Sequence, residues 1–239
     1  MSQVQSKKIT YQAGTIEAEG VLVFDASRKQ AAPGLVMAPN WMGVTDASVA
    51  LAEKAAEQGY VVLIVDLYGK GVRPTNADEA GAVMMTVKNK PEEVERMAKA
   101  ISALKAQTDA PVDASKIAAY GFCFGGHNAL ELARSGEDLK AAISFHGGLD
   151  TSGAYDAKNI KGSVLVLDGA SDPLVPRDQL PAFAEEMLSA EVDWKLHSYK
   201  GAVHSFTDVN ANIAGTAEYN ADVSDRAFKA MFALLAEVF

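Results

Sequence analysis

The stretch Tyr120-Gly121-Phe122-Cys123-Phe124-Gly125-Gly126 constrains this chain more than any other. The run before it, Ser115-Lys116-Ile117-Ala118-Ala119-Tyr120, reads as a strand, and the run after it, 128–134, reads as a helix. A strand entering a helix through Gly-x-Cys-x-Gly is the context of a nucleophile elbow, with cysteine where serine usually stands. So sharp a turn pushes the middle side chain outward and strains its backbone. Gly121 and Gly125 flank the turn because a Cβ there would collide with neighbouring elements. Cys123 would then stand at a helix N-terminus, where unpaired amides and the helix dipole favour a thiolate, the reactive form. A buried structural cysteine is the competing reading, since cysteine packs as a small hydrophobe. The motif in its context favours the nucleophile.

The rest of the chain alternates strands and helices around this point. Lys8–Tyr11 and Thr15–Phe24, separated by Ala13-Gly14, read as an antiparallel hairpin. Leu35–Ala38 reads as the first inner strand, followed by the loop Pro39-Asn40-Trp41-Met42-Gly43-Val44. Asp46 suits the cap of a helix that stops at Gly59, and Tyr60–Val65 is a continuous apolar run, as in a parallel sheet covered on both faces. Residues 66–76 form a loop, 78–90 are ambiguous but helix-compatible, and Pro91–Gln107 is an amphipathic helix. After the elbow, Ala141–Phe145, Val164–Leu167 and Val192–Tyr199 read as strands, and Asp178–Ser189 and Tyr219–Phe239 as helices. This alternation predicts an α/β fold with a mostly parallel central sheet and helices on both faces. No Pro/Gly/Ser-rich break divides the 239 residues, so residues 1–239 are expected to form a single domain.

Composition excludes several classes. A formal net charge of −9 argues against nucleic acid or an anionic membrane as partner. No apolar run approaches a membrane span, and residues 1–8 lack the apolar core of a signal peptide. One cysteine cannot form an internal disulfide, which fits a reducing cytoplasm.

Ligands in open α/β sheets bind beyond the carboxyl ends of strands, and Cys123, Asp172 and His204 each fall just after an expected strand. The order nucleophile, acid, histidine is that of α/β-hydrolases. Cys123 would attack an acyl carbon, His204 would take or hold the thiol proton, and Asp172 would orient the imidazole. Asp168, earlier in the same strand-end loop, and Asp178, better suited to a helix cap, compete with Asp172. His146 also ends a strand and suits a structural hydrogen bond, whereas His127 and His197 fall on a helix and within a strand. The backbone N–H groups of Phe124 and Trp41 are the candidate oxyanion donors. No H-E-x-x-H motif or Cys/His cluster is present, so no metal site is expected.

Gly121-Phe122-Cys123-Phe124-Gly125-Gly126 resembles the G-x-C-x-G-G elbow of the dienelactone hydrolases. Asp66-Leu67-Tyr68, Asp168-Gly169 before Asp172, and Gly201-Ala202-Val203-His204-Ser205-Phe206 also match that family, and the resemblance runs from Pro33 onward. It implies an α/β-hydrolase fold, a triad of Cys123, Asp172 and His204, no cofactor, and substrate contacts at Asn40, Tyr68 and Asp208. At two of these positions the chain departs from the family. Asn40 stands where a glutamate helps generate the thiolate, and Asp208 stands where an arginine clamps a substrate carboxylate. Together these observations predict a cysteine-dependent hydrolase of small carboxylic esters, lactones or thioesters, cytoplasmic, and a monomer or small homo-oligomer. The alternative is a non-catalytic binder or electrophile sensor on the same fold. A redox role is disfavoured because no second cysteine could resolve an oxidised Cys123.

Overall fold

The computed structural model describes residues 3–239. Eight strands hydrogen-bond in the order β1-β2-β4-β3-β5-β6-β7-β8, numbered along the chain. By contact the chain divides into two compact units, one ending at Ala119 and the other spanning Tyr120–Phe239. Among the described residues no helix is long and apolar enough to cross a membrane.

In the first unit, β1 (Val4–Ala13) and β2 (Ile16–Asp25) form an antiparallel hairpin closed at Ala13↔Ile16, with Gly14 at φ +64 in the turn. β2 pairs antiparallel with β4 (Val61–Ile64), and β4 pairs parallel with β3 (Ala32–Ala38). All four residues of β4 are buried, as its unbroken apolar run requires. Helix α1 (Asp46–Glu57) is capped by Thr45, not Asp46 as expected. The Thr45 and Ser48 side chains form a reciprocal capping box, and Asp46 sits in the first turn, where its charge suits the dipole. The ambiguous 78–90 stretch contains helix α2 (Ala77–Met85), capped by Asn76, and α3 (Pro91–Lys105) follows.

In the second unit, β5 (Val112–Phe122), which starts in the first unit, delivers the chain to α4 (Phe124–Arg134). Strands β6 (Ala141–Phe145), β7 (Ser163–Gly169) and β8 (Trp194–Tyr199) pair in parallel. Side chains alternate along a strand, so Ser144 and Phe145 leave β6 on opposite faces. Ser144 lies against Gly126 of α4, and the Phe145 ring packs at a tilt against Phe228 of α6 (Ala221–Val238), 5.1 Å between centroids, which places the two helices on opposite faces of β6. On the α4 side, Val164 and Val166 of β7 join Leu130, Phe183 and Met187, the latter two from α5 (Gln179–Ser189), with Trp194 and Leu196 of β8 packed against them. The same parity puts Asp168 on that face, paired across the ladder with Ser198. Asp168 therefore belongs to β7, not to the loop after it. A two-residue hairpin, β9 (Asn212–Ile213) with β10 (Ala217–Glu218), was not anticipated because each strand is too short to show a period.

Helix α4 is buried along its whole length, including its charged residues. Arg134, only 1% exposed, spends its five N–H donors on both Glu186 oxygens, Glu131 and the carbonyls of Leu149 and Asp150. Burial works against ionisation of Glu131, but the Ser152 hydrogen bond and the Arg134 charge outweigh it and lower the Glu131 pKa. The network ties the end of α4 to the segment after β6 and to α5. Arg134→Ala would leave two carboxylates facing an empty buried space, so it should destabilise the protein by about 3–5 kcal/mol in urea unfolding.

Candidate active site

Cys123 sits between β5 and α4 at φ 55 and ψ −118, a conformation that side chains rarely adopt. Its N–H is held by the Phe145 carbonyl at 3.0 Å and by Nδ1 of His146 at 3.2 Å. Gly126 lets α4 approach the turn after β6, since a Cβ there would lie 2.4 Å from Ser144 Oγ and 3.0 Å from Gly147 Cα. A Cβ on Gly147 would in turn meet the Cys123 carbonyl oxygen at 2.9 Å. Close backbone contact thus fixes the turn that presents the thiol. The Cys123 carbonyl accepts from Gly126 and His127, while the Phe124 N–H, at the first position of α4, carries no hydrogen bond among the described residues. That is the state an oxyanion donor needs.

His204 and Asp172 come together at the ends of β8 and β7. Nδ1 of His204 lies 2.8 Å from Asp172 Oδ2, with both groups buried. Asp172 Oδ1 accepts the N–H groups of Leu174 and Val175, which leaves Oδ2 for the ring. The two loops are stitched by Ser171 N–H to Ala202 O (2.9 Å), and Gly169 permits their approach because a Cβ would meet two carbonyl oxygens at 2.8 Å. His204 is anchored from the other side by the β9–β10 hairpin, its N–H bonded to Thr216 O and its C=O to Glu218 N–H. Nε2 of His204 is buried, and the Cys123 thiol interacts with the same ring. Burial works against the charged imidazole. Hydrogen bonding and charge from Asp172 and Cys123 outweigh it and push the His204 pKa up to about 10.

The other candidates find different partners. Both Asp168 oxygens are engaged by Arg177, with Ser198 as a further donor, and Asp178 stands at the start of α5 without a side-chain capping bond. His146 is buried at φ +41, with Nε2 2.9 Å from Thr207 Oγ1. His127 is buried 3.4 Å from Asp150, and His197 is exposed on β8. Asp208 is half-buried and accepts the N–H of Asn210, closing its own turn. In the first unit, Asn40 Oδ1 accepts the Met42 N–H, and the Tyr68 hydroxyl donates to the Trp41 carbonyl at 2.7 Å. The peptide between Trp41 and Met42 is thereby held at both ends, and the Trp41 N–H is left without a partner among the described residues. Among the described residues no group of three or more His, Cys, Asp or Glu side chains could hold a metal ion.

The model of the dienelactone hydrolase family matches residues 20–239. A solved structure titled m3DLH is 36% identical, with a TM-score of 0.92 and 99% of each chain covered. A dienelactone hydrolase-like promiscuous phosphotriesterase, P91, from metagenomic libraries is 35% identical with a TM-score of 0.91, again over 99% of each chain. An uncharacterised protein of Caenorhabditis elegans is 36% identical over 148 residues, which cover 60% of this chain and 92% of that protein.

Because the folded protein holds a proton on His204 that the unfolded chain releases near the usual histidine value, His204 stabilises the fold most at low pH. That contribution should be intact below about pH 6.5 and fade as pH rises through its folded pKa of about 10. Urea unfolding of the parent and of His204→Ala across this range should show the two stabilities converging toward the alkaline end.

Proposed function

The chain belongs to the dienelactone hydrolase family, and from that premise we propose that it hydrolyses small esters, lactones or thioesters through an acyl-enzyme on Cys123. The observation that carries this reading is the buried His204–Asp172 pair, with the Cys123 thiol acting on the same ring. A receptor or electrophile sensor has no need of all three groups. The 239 residues would work as one catalytic domain acting on a small-molecule substrate in the cytoplasm.

His204 takes or holds the Cys123 thiol proton. The Cys123 thiolate attacks the acyl carbon, and the electron pair of the carbonyl moves onto its oxygen. Phe124 N–H donates to that oxyanion. As the carbonyl re-forms, the bond to the alkoxide or thiolate leaving group breaks, and His204 Nε2–H gives that group its proton. Neutral His204 then takes a proton from water, hydroxide attacks the thioester, and the Cys123 thiolate departs with the imidazolium restored. Asp172 holds the ring and stabilises its charge without itself taking the proton.

One similar protein, P91, is a promiscuous phosphotriesterase, which supports a second substrate class. The same thiolate attacking a neutral phosphotriester would expel an aryloxide, and the acid–base roles would not change.

Charge narrows the choice of substrate. Arg73 is bound to Asp66 and to the carbonyls of Glu19, Gly69 and Val72, and Lys70 to Glu17. Arg177 is committed to Asp168, and Asp208 replaces the arginine of the family pattern. Arg73, Lys70 and Arg177 are thus committed to protein carboxylates, which supports a preference for neutral substrates.

Iodoacetamide should incorporate one equivalent, at Cys123, with esterase activity on a p-nitrophenyl ester lost in proportion. Full activity after complete alkylation would falsify the acyl-enzyme. His204→Ala should lower kcat by about 10²–10⁴-fold, while His197→Ala should leave it near the parent value. For a neutral lactone and its carboxylate-bearing counterpart, kcat/KM should favour the neutral compound, and Asp208→Arg should narrow the difference. A parent enzyme that prefers the carboxylate would show that a clamp exists elsewhere.

A further inference from the structure

We propose that His146 is a positioning residue for the catalytic pair, tying the backbone of the nucleophile to the segment that carries the catalytic histidine. The proposal rests on the reading of Cys123, His204 and Asp172 as a triad. The partners of the two ring nitrogens fix the tautomer of His146. The Cys123 N–H can only donate, so Nδ1 of His146, 3.2 Å away, must be unprotonated. The ring hydrogen then lies on Nε2 and is donated to Thr207 Oγ1 at 2.9 Å. Thr207 is buried and lies three residues beyond His204. The imidazole is therefore a neutral bridge with one end on the elbow and the other on the histidine segment.

The ring also borders the catalytic histidine directly. It packs edge-on against His204 at 5.0 Å between centroids and against Phe206 at 4.9 Å. The groups that face it are Cys123 from the elbow, and His204 and Thr207 from the segment after β8; Asp172 acts on it only through His204. Protonating His146 would set a second N–H against the Cys123 N–H and a second cation beside an imidazolium. Burial and the His204 charge both hold its pKa well below the usual histidine value, consistent with that geometry. His146 keeps this place at φ +41, a strained conformation for a non-glycine residue that persists where the surroundings over-determine it. A merely space-filling ring would require neither the strain nor two site-bearing partners.

Cys123 alkylation by iodoacetamide, followed against pH, reads this role without a substrate. Thr207→Val removes the acceptor for Nε2–H at nearly constant volume, and Thr207→Ser keeps it. His146→Asn keeps an acceptor near the Nδ1 position and tolerates a left-handed backbone, but loses the bridge to Thr207. Thr207→Val and His146→Asn should slow alkylation about 10- to 100-fold and move the limb governed by His204 to lower pH. Thr207→Ser should restore both. Parent rates and an unchanged profile in the folded variants would overturn the proposal, as would a lowered melting temperature with the profile unmoved. Should His146→Asn not fold, the Thr207 pair decides alone. If His204→Ala leaves the alkylation profile as in the parent, the triad reading falls and this inference with it, which separates the two failures.

Discussion

The first turn of α4 lies backbone against backbone on the turn that follows β6, and the geometry of the site stands on that contact. Gly126 and Gly147 each occupy a place where a Cβ would strike the other segment, with Ser144 Oγ beside both. Two residues at this contact, Cys123 and His146, carry positive φ values. Strain of that kind survives only where neighbours leave the chain no alternative. Here the Cys123 N–H is shared by the Phe145 carbonyl and the His146 ring, and Arg134 pins the far end of the helix. Ser205, also at positive φ, adjoins His204. Three of the strained positions among the described residues thus border the same few side chains, which motivates a functional reading from geometry alone.

Buried carboxylates show how one scaffold gives similar residues different work. Asp66 accepts backbone N–H groups from Glu19, Tyr68 and Gly69 and faces Arg73, so it builds a loop. Asp168, on the α5 face of β7, is saturated by Arg177 and Ser198. Asp172 has one oxygen committed to its own loop and the other turned to His204. A carboxylate can stabilise an imidazolium only through an oxygen not already taken by another cation, and that separates Asp172 from Asp168 more sharply than position along the chain does.

Much of this was legible in the sequence. The apolar run of β4, the period of α3 and the glycines around Cys123 are local signals, and they gave the elements close to their observed limits. Asp168 and Asp172 could be ranked but not separated, because their difference lies in Arg177, Ser198 and Leu174, partners set by register and loop shape. The cap of α1 was misplaced by one residue because both Thr45 and Asp46 are good caps, and only backbone geometry chooses between them. The β9–β10 hairpin and the all-round burial of α4 were invisible for opposite reasons. Two-residue strands carry no period, and charged residues on a helix look solvent-exposed until a network such as that of Arg134 is seen. Asn40 and Tyr68 are expected substrate contacts, but the structure gives Asn40 a hydrogen bond within its own loop and Tyr68 one to the Trp41 carbonyl in the loop after β3.

The charge of the proposed triad bears on the end of the reaction as much as on its start. In the attacking form of the proposed triad, a Cys123 thiolate, a His204 imidazolium and an Asp172 carboxylate would sum to one negative charge. The guanidinium and ammonium groups of Arg73, Arg177 and Lys70 are bound to carboxylates of their own. Hydrolysis of a neutral ester or lactone creates a carboxylate beside this negative centre. In a site partly withdrawn from water, like charges repel more strongly than in bulk solvent. Under the proposed preference for neutral substrates, the same repulsion would weaken the hold on the anionic product. A site that bound its substrate through an arginine would have to release a product carrying the same anchor. One that recognises a neutral acyl group avoids that conflict, since the charge that makes the product leave does not exist until the acyl-enzyme is hydrolysed.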